Sequence, residues 1–314
     1  MGWVTTVWLS AIVSRGDHRL VHVEPWVSKR LWTLRSATGQ AVERLDCTDD
    51  RLEIVLRGLS EDTRWSACAS ALHQHTVRVY ALPTERMHVD STSANAYATV
   101  TEDGLCQCGH SKDSRPDLPQ VKVMQAVLDP FGMPLATDVV SGARADDPLY
   151  RPCLERGQAS GGRRGLFYVG DGKMASRATR ACIAGQGDFS LCPLPQGQLA
   201  EGELAEALEA VWSRAQALSP VFRERQDGTP ELIAEGYDRL VPMSGEVAGQ
   251  LQHWTERRLV VRSVRQAQAA EAALRARVAH AMGQIEAFNQ RGRGKQRFEA
   301  VSAFRQTVVA IVQR

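Results

Sequence analysis

Asp90 follows the apolar run Met87 to Val89, and Asp171 follows the apolar run Leu166 to Val169, 81 residues further along. In an open α/β sheet, ligand sites form beyond the carboxyl ends of the strands, so two acids so placed meet if their strands lie side by side. Carboxylate oxygens are hard donors that suit Mg²⁺ or Mn²⁺. Two such ions about 3.5 to 4 Å apart would serve both the attacking and the leaving oxygen of a phosphodiester, which is nucleotidyl-transfer chemistry. On spacing alone, an Asp after a strand more often opens a turn or caps a helix.

Five cations surround the two acids in sequence. Lys112, Arg115 and Lys122 lie between them, and Lys173 and Arg177 open the helix expected after Asp171. A helix N-terminus attracts anions, and basic side chains of this kind position a nucleic acid through its phosphates without reading its sequence. All five are expected DNA contacts. Cys106, Cys108 and His110 form a C-x-C-x-H run without a second ligand pair, Cys192 and His253 being distant in sequence. His73 and His75 read as packing or surface histidines. No phosphate-binding G-x-x-x-x-G-K-S/T loop, no G-x-G-x-x-G turn and no G-x-S-x-G elbow occurs, which argues against ATP-driven, nicotinamide and serine-hydrolase chemistry.

The elements that must position these residues are legible as changes of period. Residues 1–82 are helical in pattern, with a stripe of Trp3, Val4, Val7, Trp8 and Ile12, and with Asp49 or Asp50 as a cap before Leu52, Val55 and Leu56. Strands are expected at Met87 to Val89, Gln120 to Leu128, Pro134 to Val140 and Leu166 to Val169, with Asp129-Pro130-Phe131-Gly132 turning the middle two into a hairpin. A helix from Asp147 to Arg156, with Asp146 or Asp147 as cap and Pro148 in its first turn, separates them from the fourth strand. A second helix, Ser176 to Ile183, and a short strand, Asp188 to Cys192, complete five strands. A helix from Glu203 to Leu218 and strands Glu231 to Pro242 and Leu251 to Val261, parted at Ser244-Gly245, form a β-rich segment. A long amphipathic helix, Val264 to Asn289, carries Leu274, Val278, Ala281, Ile285 and Phe288 on one face. A basic loop, Arg291 to Lys295, and a last helix, Phe298 to Val312, follow.

Four ordered segments, VDSTSANAY from Val89, HSKDSRPDLPQVKV from His110, GMPLATDVVSGARADDP from Gly132 and YVGDGKMAS from Tyr168, together resemble bacterial insertion-sequence transposases of the Asp-Asp-Glu class. The subgroup is the one with a β-rich insertion in its catalytic domain. WTERRLVVRS from Trp254 and GRGKQRF from Gly292 extend the resemblance over nearly the whole chain. It implies an α/β fold: an RNase H-like core with a mixed five-stranded sheet flanked by helices, a helical N-terminal region, and a β-rich insertion followed by long helices. The corresponding boundaries are 1–82, 83–193 with both Asp, 194–263 and 264–314. The resemblance places Asp90 and Asp171 as the first two catalytic acids, holding two Mg²⁺ or Mn²⁺ ions. It implies cleavage and strand transfer of double-stranded DNA at element ends and target, a homodimer for synapsis, and a bacterial cytoplasmic, nucleoid-associated place.

The family's third acid is a Glu within a Tyr-x2-Arg-x3-Glu-x6-Lys signature, which this sequence lacks. Tyr237 is followed by Asp238-Arg239 at the wrong spacing, and Glu256, Glu286 and Glu299 have no matching Tyr and Arg before them. The resemblance therefore implies a third acid beyond Arg314 and a copy shortened at both ends. The alternative is a catalytically inactive, truncated transposase that binds DNA or pairs with a full-length copy as a dimerising or inhibitory module.

Composition sets the frame for these readings. With 314 residues, 43% apolar and 24% charged, the chain is long enough for about two domains with sizeable cores and is not of disordered or collagen-like type. No apolar run reaches the roughly 20 residues needed to span a bilayer. Seven cysteines without dense spacing suggest reduced thiols in a cytoplasm. The net charge of +2 hides an uneven distribution, since residues 251–314 carry twelve Lys/Arg against four Glu and no Asp. The C-terminal fifth is thus a basic surface, as a partner with phosphates would require.

Overall fold

In the computed structural model, which describes residues 2–162, 164–290, 292 and 297–312, five helices precede the first strand. These are α1 (Gly2–Arg15), α2 (Val23–Ser28), α3 (Leu31–Thr38), α4 (Asp49–Leu59) and α5 (Asp62–Val79). The expected stripe of α1 is only partly the buried one: Val7, Trp8 and Ala11 pack with Val23, Trp26, Val27, Leu34, Val42, Cys47 and Leu52. Thr48, not Asp49 or Asp50, caps α4. Its extended backbone lets the hydroxyl accept from the Arg51 amide, and the two Asp fall in the first turn, where the helix dipole favours them.

The chain then builds β1 (Arg86–Asn95), β2 (Gln120–Leu128), β3 (Met133–Ser141), α6 (Tyr150–Gly161), β4 (Phe167–Gly170), α7 (Arg177–Gly185) and β5 (Phe189–Leu191). The five strands form one sheet in the order β3-β2-β1-β4-β5. β2 runs antiparallel to β1 and β3, whereas β4 runs parallel to both its neighbours, β1 and β5. This is the strand order and polarity of the RNase H-like fold, a mixed sheet flanked by helices. Met87, Val89, Met124, Ala126, Leu128, Leu135 and Tyr168 bury one face of the sheet against Tyr150, Cys153 and Leu154 of α6. The parallel β1–β4 connection contains the β2–β3 hairpin and α6, long enough for the crossover a parallel pair needs.

β1 is longer than its apolar run. Its residues alternate buried and exposed for nine positions, and its antiparallel ladder with β2 continues to the pair Asn95 and Gln120. Asp90 is therefore a mid-strand residue opposite Gln125, and only Asp171 lies just past a strand end. The polar Ser91 and Ser93 carry the buried alternation past the point where apolar residues stop, which hid this part of the strand from the sequence.

Contact between residues divides the chain into two units, Met1–Gln198 with Gly245–Gln252, and Leu199–Ser244 with His253–Arg314. The second contains α8 (Glu203–Trp212) and most of a three-stranded sheet of β6 (Ser219–Glu224), β7 (Pro230–Val247) and β8 (Gln250–Ser263), followed by α9 (Val264–Glu286) and α10 (Val301–Val312). The helix expected to reach Leu218 stops at Trp212, and β6 follows as an additional strand. The β7–β8 turn is Ala248-Gly249, both with left-handed φ, and not Ser244-Gly245. Two residues of positive φ match the twist of a tight hairpin, and glycine meets that demand without strain. Glu203 anchors α8 to its sheet by accepting from Arg239 and Arg258. Phe288, Phe298 and Phe304 stack edge to face, 4.9 to 5.9 Å between centroids, beside the start of α10. Of the expected basic loop, all but Gly292 lies outside the described residues.

Candidate active site

Val89 and Gly170 are register partners on parallel β1 and β4, so each of the two acids is the residue that follows one of these partners in the chain. β4 ends at Gly170 while β1 continues to Asn95, so Asp171 stands in the turn just past its strand. Asp90 is solvent-facing, its side chain 71% exposed. With His88, Thr92, Val123, Gln125 and Val127 it lines a shallow groove on the exposed sheet face.

Each acid is held through one oxygen. Asp171 Oδ1 accepts from the Tyr150 hydroxyl at 2.6 Å and from the Lys173 amide at 2.9 Å. Asp90 Oδ1 accepts from the Ser91 amide at 2.7 Å and lies 3.6 Å from Lys112 Nζ. Neither Oδ2 accepts a hydrogen bond from the described residues. Tyr150 is fully buried at the start of α6. Burial, then its hydrogen bond to Asp171, then the charges of Asp171, Asp90 and Asp146 push its phenol far above the ordinary range. It is a permanent donor at physiological pH, and it feels both acids.

The five expected DNA contacts divide. Lys112 folds back onto β1, donating to the Ser91 carbonyl and to Ser91 Oγ at 3.0 Å. Arg115 grips Asp117 with two hydrogen bonds of 2.8 and 2.7 Å, which holds that carboxyl below and the guanidinium above their usual ranges. Lys122 is not a surface cation: its side chain is 6% exposed and pairs with Asp146 at 2.8 Å. An ammonium buried with its counter-ion is withheld from a phosphate, so Lys122 acts structurally, tying β2 to Asp146 and the Arg144 carbonyl. Lys173 and Arg177 are exposed, at and just after the turn that follows Asp171.

Asp146 makes no capping hydrogen bond, because its carboxylate is engaged by Lys122. Tyr150 escaped the sequence reading altogether, since an aromatic in an apolar helical pattern reads as packing. The only signal available was a buried aromatic carrying a hydroxyl, which needs a partner.

The oxygen donors of Asp90 and Asp171 fit a hard divalent cation, which commonly takes one or two protein carboxylates and completes its shell with water and phosphate. Among the described residues no group of three or more His, Cys, Asp and Glu side chains gathers to hold a metal ion, so neither the Asp90–Asp171 pair nor Cys106, Cys108 and His110 belongs to such a group. No helix among the described residues is long and apolar enough to cross a membrane.

No protein-family model matches the chain, and no curated protein matches it. Among solved structures it is similar to the Mos1 transposase paired-end complex with left transposon end, at 11% identity over 60% of this chain and 64% of that one, with a TM-score of 0.26. It is also similar to the piggyBac transposase synaptic complex with hairpin DNA, at 10% identity over 81% of this chain and 50% of that one, TM-score 0.32. The Mos1 strand transfer complex matches at 13% identity over 60% and 63%, TM-score 0.23. The chain thus spans between half and just under two thirds of the solved chains it matches.

Proposed function

We propose that this chain is a DNA transposase of the Asp-Asp-Glu class, in which Asp90 and Asp171 form the metal-binding part of a phosphodiester-cleaving site. The observation that carries the reading is the register of β1 and β4, which sets the two acids at matching positions in an RNase H-like sheet. Among the described residues the donors to both acids engage Oδ1, which leaves Oδ2 of each for a metal ion. When bound, a divalent cation supplies Lewis-acid polarisation of the phosphodiester and a competent nucleophile at neutral pH. Tyr150 holds Asp171, and Lys173 and Arg177 offer positive charge to the flanking phosphates, which orients the strand without reading it.

A second reading is a module that binds DNA or a longer copy without cutting. It is favoured by the absence, among the described residues, of any group of three or more metal-holding side chains, since one metal position then loses a charged ligand and its alignment.

Incubating the purified chain with supercoiled DNA and Mn²⁺ tests the choice. The first reading expects nicking that falls more than about 100-fold in Asp90→Asn and in Asp171→Asn, because even outer partners of a metal cost about 10 to 100-fold. DNA binding without nicking, indifferent to both substitutions, would establish the second reading. Nicking that survives both substitutions would refute the assignment of these acids.

A further inference from the structure

Two tyrosines are completely buried in the catalytic core, and their hydroxyls differ in what they meet. Tyr168, on β4, lies 3.5 Å from the Leu154 carbonyl. Tyr150 donates instead to a carboxylate, at 2.6 Å. A buried hydroxyl is costly unless paired, and a phenylalanine would fill the same apolar space without that demand. The hydroxyl of Tyr150 therefore has a use at Asp171, where a donor to an ionised acceptor makes a strong bond.

The geometry around Asp171 says what that use is. Tyr150 and the Lys173 amide both donate to Oδ1, one from the buried side and one from the following turn. Two donors on one oxygen fix the carboxylate's rotation and leave Oδ2 as the atom presented. We propose that Tyr150 is a positioning residue, which orients Asp171 so that Oδ2 is offered to a divalent cation. This rests on the reading of Asp90 and Asp171 as metal ligands. Tyr150 does not itself touch metal or DNA; it acts through the carboxylate, as hydrogen-bonded outer partners of metal ligands do.

Mn²⁺ binding by the whole chain without DNA, followed by calorimetry, tests it across wild type, Tyr150→Phe, Tyr168→Phe and Asp171→Asn. Tyr150→Phe is expected to weaken Mn²⁺ binding about tenfold while still melting cooperatively. Tyr168→Phe removes the same atom from an equally buried ring and should leave Mn²⁺ affinity unchanged. Unaltered affinity in a folded Tyr150→Phe, with Asp171→Asn defective, would overturn the positioning role and leave the metal site standing. Unaltered affinity in Asp171→Asn would overturn the metal site and the proposal with it. Should Tyr150→Phe not fold, fluorotyrosine at position 150 alone keeps the hydroxyl and reports by ¹⁹F NMR. Mg²⁺ should then shift its resonance in the wild-type background and not in Asp171→Asn, and no shift in a chain that binds Mg²⁺ would refute the role.

Discussion

Asp90 and Asp171 follow register partners on adjacent parallel strands and both are exposed, yet Asp171 alone of the two accepts from a buried tyrosine. Stability and chemistry should therefore separate at these two positions. Asp171→Ala leaves the Tyr150 hydroxyl buried without its acceptor, and urea denaturation should show a loss of about 1 to 3 kcal/mol. Asp90→Ala removes an exposed group and should stay within about 0.5 kcal/mol of wild type. Equal losses would mean that Asp90 is as deeply engaged as its counterpart.

Lys112 Nζ lies 3.6 Å from Asp90 Oδ1 and is held by Ser91. Its charge opposes an incoming divalent ion. In Lys112→Met, Mn²⁺ binding should tighten by about two- to fivefold, a modest effect because both groups are partly exposed. The gain should shrink at high salt. Weaker binding in this variant would show that Lys112 supports the site and does not compete for it.

Lys122 and Lys173 were alike in sequence, both lysines beside an acid of the motif, and the fold makes them opposites. Lys122→Met strands Asp146 as a buried charge and should cost about 3 to 5 kcal/mol. Adding Asp146→Leu should restore most of that stability, and the folded double variant should keep the wild-type salt dependence of DNA binding. Lys173→Ala and Arg177→Ala should each lower the slope of log affinity against log salt by about 1. A changed slope in the Lys122 double variant would return that lysine to the DNA surface.

What could be read from sequence was what is local. The alternation of Gln120 to Leu128 and the turn at Asp129 to Gly132 gave the central hairpin, because side-chain period and turn chemistry are written in neighbouring residues. The strand ends bearing the two acids were half legible: β4 stops at Gly170 as the glycine suggests, but β1 runs on through serines whose burial depends on β2. Contacts across long separations were invisible. Lys122 meets Asp146 and Tyr150 meets Asp171 only once the sheet and α6 have packed, and no spacing rule connects such pairs. The β7–β8 turn was misplaced because Ser244-Gly245 carries a common turn signature, whereas the actual corner is formed by Ala248-Gly249 with left-handed backbone.

Two buried thiols make the fold sensitive to alkali. Burial, with Asp46 adding and Arg51 opposing, pushes Cys47 from 9.0 up to about 11, and burial alone pushes Cys153 up to about 12. A raised acid pKa in the folded chain means that, above pH 9.0, the unfolded chain releases a proton which the folded chain keeps. Stability is then fully present below about pH 9 and falls as pH rises towards the folded values, each thiol adding up to about 1.4 kcal/mol per pH unit. Urea midpoints in reducing buffer should decline above pH 9, and the decline below pH 10 should flatten stepwise in Cys47→Ala and Cys153→Ala. The window ends at pH 10 because Tyr150 and Tyr168, also raised, begin to separate folded from unfolded chain at their ordinary value of 10.0. A double variant with the full wild-type slope between pH 9 and 10 would show that neither thiol carries the effect.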